Sequence, residues 1–436
     1  MKHPRALVVL TGASIALAAC GSSTSGTATA GCTNPTYKGA APASNAVAQA
    51  GRALPNAADT SNLHVTAAGS TIKIGFQGML SGDLKNYGVD ELNGVQMAID
   101  EANTAGGVTF GGKTYTLAAD GQDDLGATAQ GGQTAAAKLV DDRVVAVVGG
   151  VFSTATIAGQ KIYHDNGLAQ ISASATRTNY TDDQVAPITS FRTIGRDDQQ
   201  GPLGADVLVK SLGCHNIAVV DDKSTYGAGL ATAAAGQIPK DGGVVADNEH
   251  VTAGAGGDFR SQLTSIKGKH VDAIYYGGYS REAGPFKKQA KDLGLNIPMV
   301  GGDGWQDADF SALAGSSGDG AYATNGGPAA SLLTAFNTKY KAKFNQDIFQ
   351  YAPEAYDATN ILINAIKKVG PDKAAIVAEV RKTKDYKGVT GTISFNSKGD
   401  LTVSVFTLWK YDSSCDACVP KNWKPIKAVT TQNPTT

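Results

Sequence analysis

The chain has 436 residues, which at roughly 150 residues per domain is material for about three units with large cores. Its 38 Lys and Arg against 39 Asp and Glu leave a formal net charge of −1, without the basic excess that a dedicated nucleic-acid binder needs to neutralise phosphates. Apolar residues make up 42%, as in a packed globule, and the 53 glycines, about 12% against a typical ~7%, indicate many sharp turns and close backbone approaches.

The chain opens with Lys2, His3 and Arg5 and an apolar run from Ala6 to Ala19. That run is short of the roughly 20 residues that span a bilayer, so residues 1–19 read as an export signal. The run ends Leu17-Ala18-Ala19-Cys20, followed by Gly21-Ser22-Ser23, which resembles a bacterial lipobox and makes Cys20 the expected lipidation site. Multiple acyl chains anchor stably where one binds only marginally, so the mature protein is expected on the extracytoplasmic face of the cell membrane. From Gly21 to Ser70, 32 of 50 residues are Ala, Gly, Ser or Thr, too little apolar surface to fold, and residues 20–70 read as a lipidated flexible tether. Its coil reach is roughly 40 Å. Four further cysteines, Cys32, Cys214, Cys415 and Cys418, leave three pairings open. The Cys415-Asp416-Ala417-Cys418 spacing lies in a polar tail with no second such pair, so a structural disulfide or a solvated loop outranks redox or zinc chemistry.

Beyond Thr71, short β-rich runs alternate with helical patterns. Ile72 to Gln77 reads as a strand; Leu92, Val95, Ile99 and Ala102 fall at helical spacing before Gly106-Gly107. Further strands are predicted at Thr114 to Ala118, Val144 to Val148, Ala169 to Ser172, Ile217 to Val220, Ala273 to Tyr276 and Pro298 to Gly301. Helices are predicted at Ala127 to Val140, Gly201 to Leu212, Phe259 to Ile266, Ala283 to Leu293, Ala355 to Val369 and Ala374 to Lys382. Alternation of this kind means parallel sheets with helices on both faces, an α/β, doubly wound architecture.

Such sheets bind ligands at the carboxyl ends of their strands. After Val144 to Val148 come Gly149, Gly150, Val151, Phe152, Ser153 and Thr154, glycines and hydroxyls at a helix start that suits an anion. A second hydroxyl set, Ser174 and Thr176, follows the next strand; Tyr226 and Tyr279 follow later ones, and Gly301-Gly302 leads into Asp303. Singly, these are ordinary caps, turns and packing residues. Jointly they supply donors for a carboxylate, a counter-charge for an ammonium and aromatic walls, which describes a free amino acid.

The order of motifs resembles the leucine/isoleucine/valine-binding protein family, the type I periplasmic-binding-protein fold that serves ABC importers. It is carried by Met79-Leu80-Ser81-Gly82, Tyr87-Gly88, Asn103-Thr104-Ala105-Gly106-Gly107, Phe191 to Gly201, Tyr226 to Ala231, Tyr275 to Tyr279, Tyr356-Asp357-Ala358 and Gly399-Asp400-Leu401, over roughly residues 72 to 410. The resemblance implies two doubly wound lobes joined by a three-crossover hinge near Gly195, Gly326 and Phe406. Residues 71–195 with 326–405 would form the first lobe, 196–325 with 406–424 the second, and 425–436 a tail. It further implies that Ser153, Ser174 and Thr176 take the ligand carboxylate, that Tyr226 and Tyr279 close over it, that Tyr87 lies near the side-chain pocket, and that Asp303, a Glu in the branched-chain amino-acid binders, pairs with the ammonium. The family's first-lobe disulfide is expected to be missing, since Asp123 and Phe152 stand at its positions.

The expected function is therefore capture of a small aliphatic amino acid and delivery to an ABC permease, by a lipid-anchored monomer with no cofactor, no metal and no nucleic-acid partner. An amide, urea or aromatic acid, bound by an importer module or sensor of the same fold, is the alternative, and Asp303 discriminates the two. A secreted hydrolase is disfavoured: the chain has no G-x-S-x-G, no G-x-G-x-x-G after the first strand and no H-E-x-x-H, and its six histidines are scattered away from the strand ends.

Overall fold

The computed structural model describes residues 32, 71–126, 128–252, 257–328 and 333–433. The signal and Cys20 lie outside them, as does the expected tether apart from Cys32. In chain order the first half runs β1 (Thr71–Gly78), α1 (Lys85–Thr104), β2 (Val108–Phe110), β3 (Lys113–Asp123), α2 (Ala129–Asp141), β4 (Ala146–Gly149), α3 (Ser153–Asp165), β5 (Ala169–Ser172), α4 (Asn179–Asp182) and β6 (Ser190–Arg192). There follow α5 (Asp197–Asp206), β7 (Asn216–Asp221), α6 (Thr225–Gln237), β8 (Val244–His250), α7 (Arg260–Gly268), β9 (Ala273–Gly277), α8 (Ser280–Asp292), β10 (Met299–Gly301), α9 (Ala308–Ala314) and β11 (Ala321–Asn325). The last third holds α10 (Thr334–Phe344), α11 (Ala352–Val369), α12 (Lys373–Val380), β12 (Tyr386–Lys387), β13 (Thr392–Ile393), β14 (Val403–Tyr411) and β15 (Trp423–Gln432).

Two sheets result. The first is ordered β2-β3-β1-β4-β5-β6 and the second β15-β14-β11-β10-β9-β7-β8. β1 pairs in parallel with both β3 and β4, so the chain steps to one side of β1 and then to the other, opening a crevice at their carboxyl ends. β7 does the same with β8 and β9. Strands buried on both faces read as continuous apolar runs, and β4, β5 and β9 are buried throughout. α1 packs against α11 so closely that a Cβ on Gly94 would stand 2.2 Å from the Ala352 carbonyl oxygen.

The two sheets belong to two lobes, and Gly195, Gly326 and Phe406 meet between them. The Gly195 amide lies 3.3 Å from the Gly326 carbonyl, and a Cβ on Gly195 would lie 2.3 Å from the Phe406 ring. Next to this junction, buried Asp400 takes ion pairs from Arg192 and Arg196, each at 2.7 Å.

Three features differ from or go beyond the sequence reading. The segment expected as a tail over 425–436 is largely strand: β15 pairs antiparallel with β14 and ends at Gln432. Its lysines and Pro425 suit a sheet edge, and its deep anchor, Trp423, is fully buried. β14 also begins at Val403, so residues 403–405 pair within the second sheet, where the first lobe was expected to run to 405. Finally, the cysteines pair Cys32 with Cys214 and Cys415 with Cys418, so the expected free tether is fastened at Cys32 to the second lobe. Among the described residues no helix is long and apolar enough to cross a membrane.

Candidate functional site

The carboxyl ends of both sheets face one another across a small cavity of about 20 Å³, little more than the ~10–15 Å³ that holds one water. On the first lobe, β4 ends at Gly149 with φ +104°, and a Cβ there would come within 2.2 Å of the Gln77 carbonyl oxygen, so only glycine makes this turn. The turn delivers Ser153 to the first position of α3. Its cap residue, Phe152, offers no side-chain bond, so the first-turn amides and the positive helix end are left for an anion or solvent. Ser172 stitches this turn to the next: its hydroxyl donates to Gly150 O at 2.7 Å and accepts from Ala175 N at 2.9 Å. Ser174 is thereby held at the cavity wall.

On the second lobe, Ser224 caps α6 by accepting from Gly227 N, which sets Tyr226 in the first turn facing the cleft. Tyr279 precedes α8, and Asp303 follows β10. The Tyr226 hydroxyl donates to Asp303 Oδ1 at 2.8 Å and accepts from Gly304 N at 3.0 Å. Tyr351 donates to the other oxygen of Asp303. Asp303 is only 2% exposed, and burial raises its pKa while Tyr351, Tyr226 and Gln200 hold it down. These are neutral donors, so a cation against Asp303 would supply what the site's own groups do not. Asp197, also buried, is pushed up to about 7, first by burial, with the charge of Asp303 adding to it.

The walls are aromatic. Phe152 stands edge-on to Tyr279 at 5.0 Å and to Tyr87 at 5.6 Å, and Tyr226 lies 5.1 Å from Tyr279. Several contacts close the lobes on each other: Tyr87 bonds Asp307 and lies 2.9 Å from Gly304 O, Gln350 donates to the Asp303 carbonyl at 2.8 Å, and Asn86 reaches Asp309 at 3.3 Å. Burial pushes Asp307 up to about 6, and the Tyr87 bond opposes this.

Of the residues singled out in the sequence, Tyr87, Ser153, Ser174, Tyr226, Tyr279 and Asp303 line this cavity. Thr176 does not: it is fully buried, with its carbonyl accepting from Asp197 N at 3.0 Å, near the junction of the lobes. The sequence reading missed Tyr351, Gly304, Val151 and Phe152 as lining residues. Val151, Phe152 and Gly304 each lie one or two residues from a chosen position, so the strand-end rule contained their signal. Tyr351 had none, since no strand precedes it. Where the resemblance places a first-lobe disulfide, Asp123 accepts from Leu80 N and Leu125 N and so fixes the loop after β1, while Phe152 walls the cavity.

A family model described as periplasmic binding protein matches residues 71–414. The Leu/Ile/Val-binding protein BraC3 of Rhizobium johnstonii is 32% identical over 357 residues, covering 79% of this chain and 93% of that protein. The leucine-, isoleucine-, valine-, threonine- and alanine-binding protein of Pseudomonas aeruginosa is 33% identical over 353 residues, covering 79% and 91%. Among solved structures, the branched-chain amino acid transporter substrate-binding protein LivJ of Streptococcus pneumoniae, in complex with isoleucine, superposes with a TM-score of 0.72 at 30% identity, covering 84% of this chain and all of that one.

Proposed function

The chain belongs to the periplasmic binding protein family, and we propose from that premise that it captures a small aliphatic amino acid, branched-chain or similar, between its lobes and delivers it to the permease of an ABC importer. The observation that carries the ligand class is Asp303, a buried acid held only by neutral donors, placed with Ser153, Ser174 and the start of α3 around one small aromatic-walled cavity. An amino acid brings both missing charges. Its ammonium pairs with Asp303, its carboxylate takes the Ser153 and Ser174 hydroxyls and the α3 amides, and its side chain packs against Phe152 and Tyr87. Thr176 supports the carboxylate side from behind through the Asp197 turn.

Burying both charges removes their water, so each must find its partner or the ligand is rejected, which excludes amides, urea and simple aromatic acids. Closure brings Tyr226, Tyr279 and Asp303 over a ligand docked on the first lobe, and the closed form is what the permease reads. The protein acts by binding and release as a monomer. Lipid on Cys20 holds it outside the cytoplasmic membrane, and the two disulfides fit that oxidising compartment.

A thermal-shift screen of the mature chain from Gly21, expressed without lipid, tests the reading against the amino acids, small amides and aromatic acids. Ligand at about 100 times its Kd should stabilise by roughly 2.7 kcal/mol. Aliphatic amino acids should shift melting and the others should not; a shift with benzoate or urea and none with any amino acid would reverse the assignment.

A further inference from the structure

Capture as described leaves Glu91, a buried acid behind the cleft, unused. Glu91 lies on α1 with no exposed surface, and its Oε1 is 2.5 Å from Ser174 Oγ, the hydroxyl at the cavity wall. Ser174 Oγ also lies 2.9 Å from the Val151 carbonyl oxygen. A hydroxyl carries one proton and a carbonyl only accepts. Both contacts are therefore hydrogen bonds at once only when Ser174 donates to Val151 while Glu91 carries a proton of its own and donates it to Ser174. The other oxygen, Oε2, is buried without a hydrogen-bond partner among the described residues, which an acid tolerates far better than an anion.

The groups facing Glu91 point the same way. Asp90 is next to it on α1, Asp124 follows β3, and Glu354 stands on α11 with Asp357 a turn further on. Cations on packed elements pair elsewhere: Lys339 and Lys343 of α10 with Glu101 and Asp100 farther along α1, Lys341 of α10 with Asp347, Lys368 of α11 with Glu379, and Lys73 of β1 with Asp120, while Lys113 of β3 and Lys367 near the end of α11 make no ion pair with Glu91. Burial, with the charges of Asp90 and Asp124 adding to it, holds Glu91 well above the usual carboxylate range against the opposing Ser174 bond.

We propose that Glu91 is a positioning residue that makes ligand capture proton-linked: as the neutral acid it donates to Ser174, freeing the Ser174 proton to turn from Val151 to the ligand carboxylate, whereas its anion would take that proton and repel the carboxylate. No covalent bond changes; one proton stays on Glu91 while the ligand is bound. The inference rests on the amino-acid reading above.

Isothermal titration of the mature chain with leucine, isoleucine and valine, between about pH 5 and about pH 10, tests it on wild type and Glu91→Gln. The amide replaces the acid as a donor to Ser174 and cannot ionise. At about pH 6 the variant should bind within about 3-fold of wild type, and toward about pH 9 wild type should weaken about 10-fold more than the variant. Titration of the ligand ammonium and of Asp303 and Asp197 affects both proteins alike, so the difference reads Glu91. Superimposable profiles, or a Gln variant weakened more than about 10-fold at about pH 6, would overturn the linkage. Should Glu91→Gln fail to give a wild-type melting transition, Glu91→Met carries the test: with no ionisable group at this position it should lose the same pH dependence whatever its affinity at about pH 6, and retention of that dependence overturns the proposal. If wild type binds none of the three amino acids at any pH, the functional reading falls first and takes this one with it.

Discussion

A carboxylate at 2% exposure between two tyrosine hydroxyls is an unstable arrangement for the empty protein and a good one for a cation. Replacing Asp303 with Asn should therefore separate function from stability. Affinity for an amino acid should fall by about 2–5 kcal/mol, as when one partner of a buried charge pair is removed, while the melting temperature of the ligand-free protein should hold or rise. Calorimetric titration beside differential scanning calorimetry reads both, and loss of stability in step with affinity would mean that Asp303 is a structural acid. Gly302 gives a second check. A Cβ there would lie 2.4 Å from the Tyr226 hydroxyl and 2.4 Å from Leu230 Cδ2, so Gly302→Ala should push Tyr226 off Asp303 and weaken binding about 10-fold or more in the same titration, with the fold intact by circular dichroism. Tyr226, Tyr279 and Asp303 could be picked from the sequence because each lies in the turn or first helical turn after an apolar strand run, where a doubly wound sheet exposes its ligand side. Tyr351 could not, because a grip formed far away in the chain puts it at the cavity.

That grip belongs to the elements. Asp90 on α1 accepts from four successive amides at the start of α11, those of Phe349, Gln350, Tyr351 and Ala352, at 2.7–2.9 Å, and from the Tyr340 hydroxyl at 2.8 Å. One carboxylate thus caps α11 and aims Gln350 and Tyr351 at Asp303 across the cleft. Asp90→Ala should cost about 3 kcal/mol of stability in urea denaturation, from buried amides left without an acceptor, and should weaken ligand binding as well. A loss below about 1 kcal/mol would show that solvent replaces the carboxylate. Local pattern gave β1, β3, β4, β5, β7, β9 and β10 because buried parallel strands are apolar, but it passed over β6, β8, β11 and α6, and β8 is exposed or half-buried along its length. β15 escaped it, since an edge strand carrying lysines and a proline has the composition of a loop and is made a strand by its partner β14.

At the scale of the whole molecule, buried acids set the response to pH. Asp197 is pushed from its ordinary 3.8 up to about 7, and Asp124, Asp222 and Asp307 up to about 6, in each case first by burial. A raised acid binds its proton more tightly folded than unfolded, so its contribution is complete below the ordinary value and is lost as pH rises through the folded one. Asp120, Asp123 and Asp182, held low by their bonds to neighbours, lose theirs only on acidification below the ordinary range. The melting temperature of the ligand-free protein should therefore peak near about pH 5 and fall toward about pH 8; a rise over that interval would mean the buried acids are ionised at little cost. Under the proposed lipid anchor, the cystine to Cys214 would also set how far the second lobe stands from the membrane. Only the residues between Cys20 and Cys32 would separate the lipid from the second lobe, in place of the whole segment expected as a tether. No spacing rule selects one pairing among four cysteines, so this fastening was not legible in the sequence.

The central claim is that one cavity recognises both charges of a small aliphatic amino acid. It is tested most directly by calorimetric titration of the mature chain with leucine, isoleucine and valine, and with the deaminated and decarboxylated analogues of whichever binds. The amino acid should bind at least about 100-fold more tightly than either analogue, since each analogue leaves a buried charged or donor group unpaired. Equal binding of the deaminated analogue, or no binding of any of the three amino acids, would contradict it.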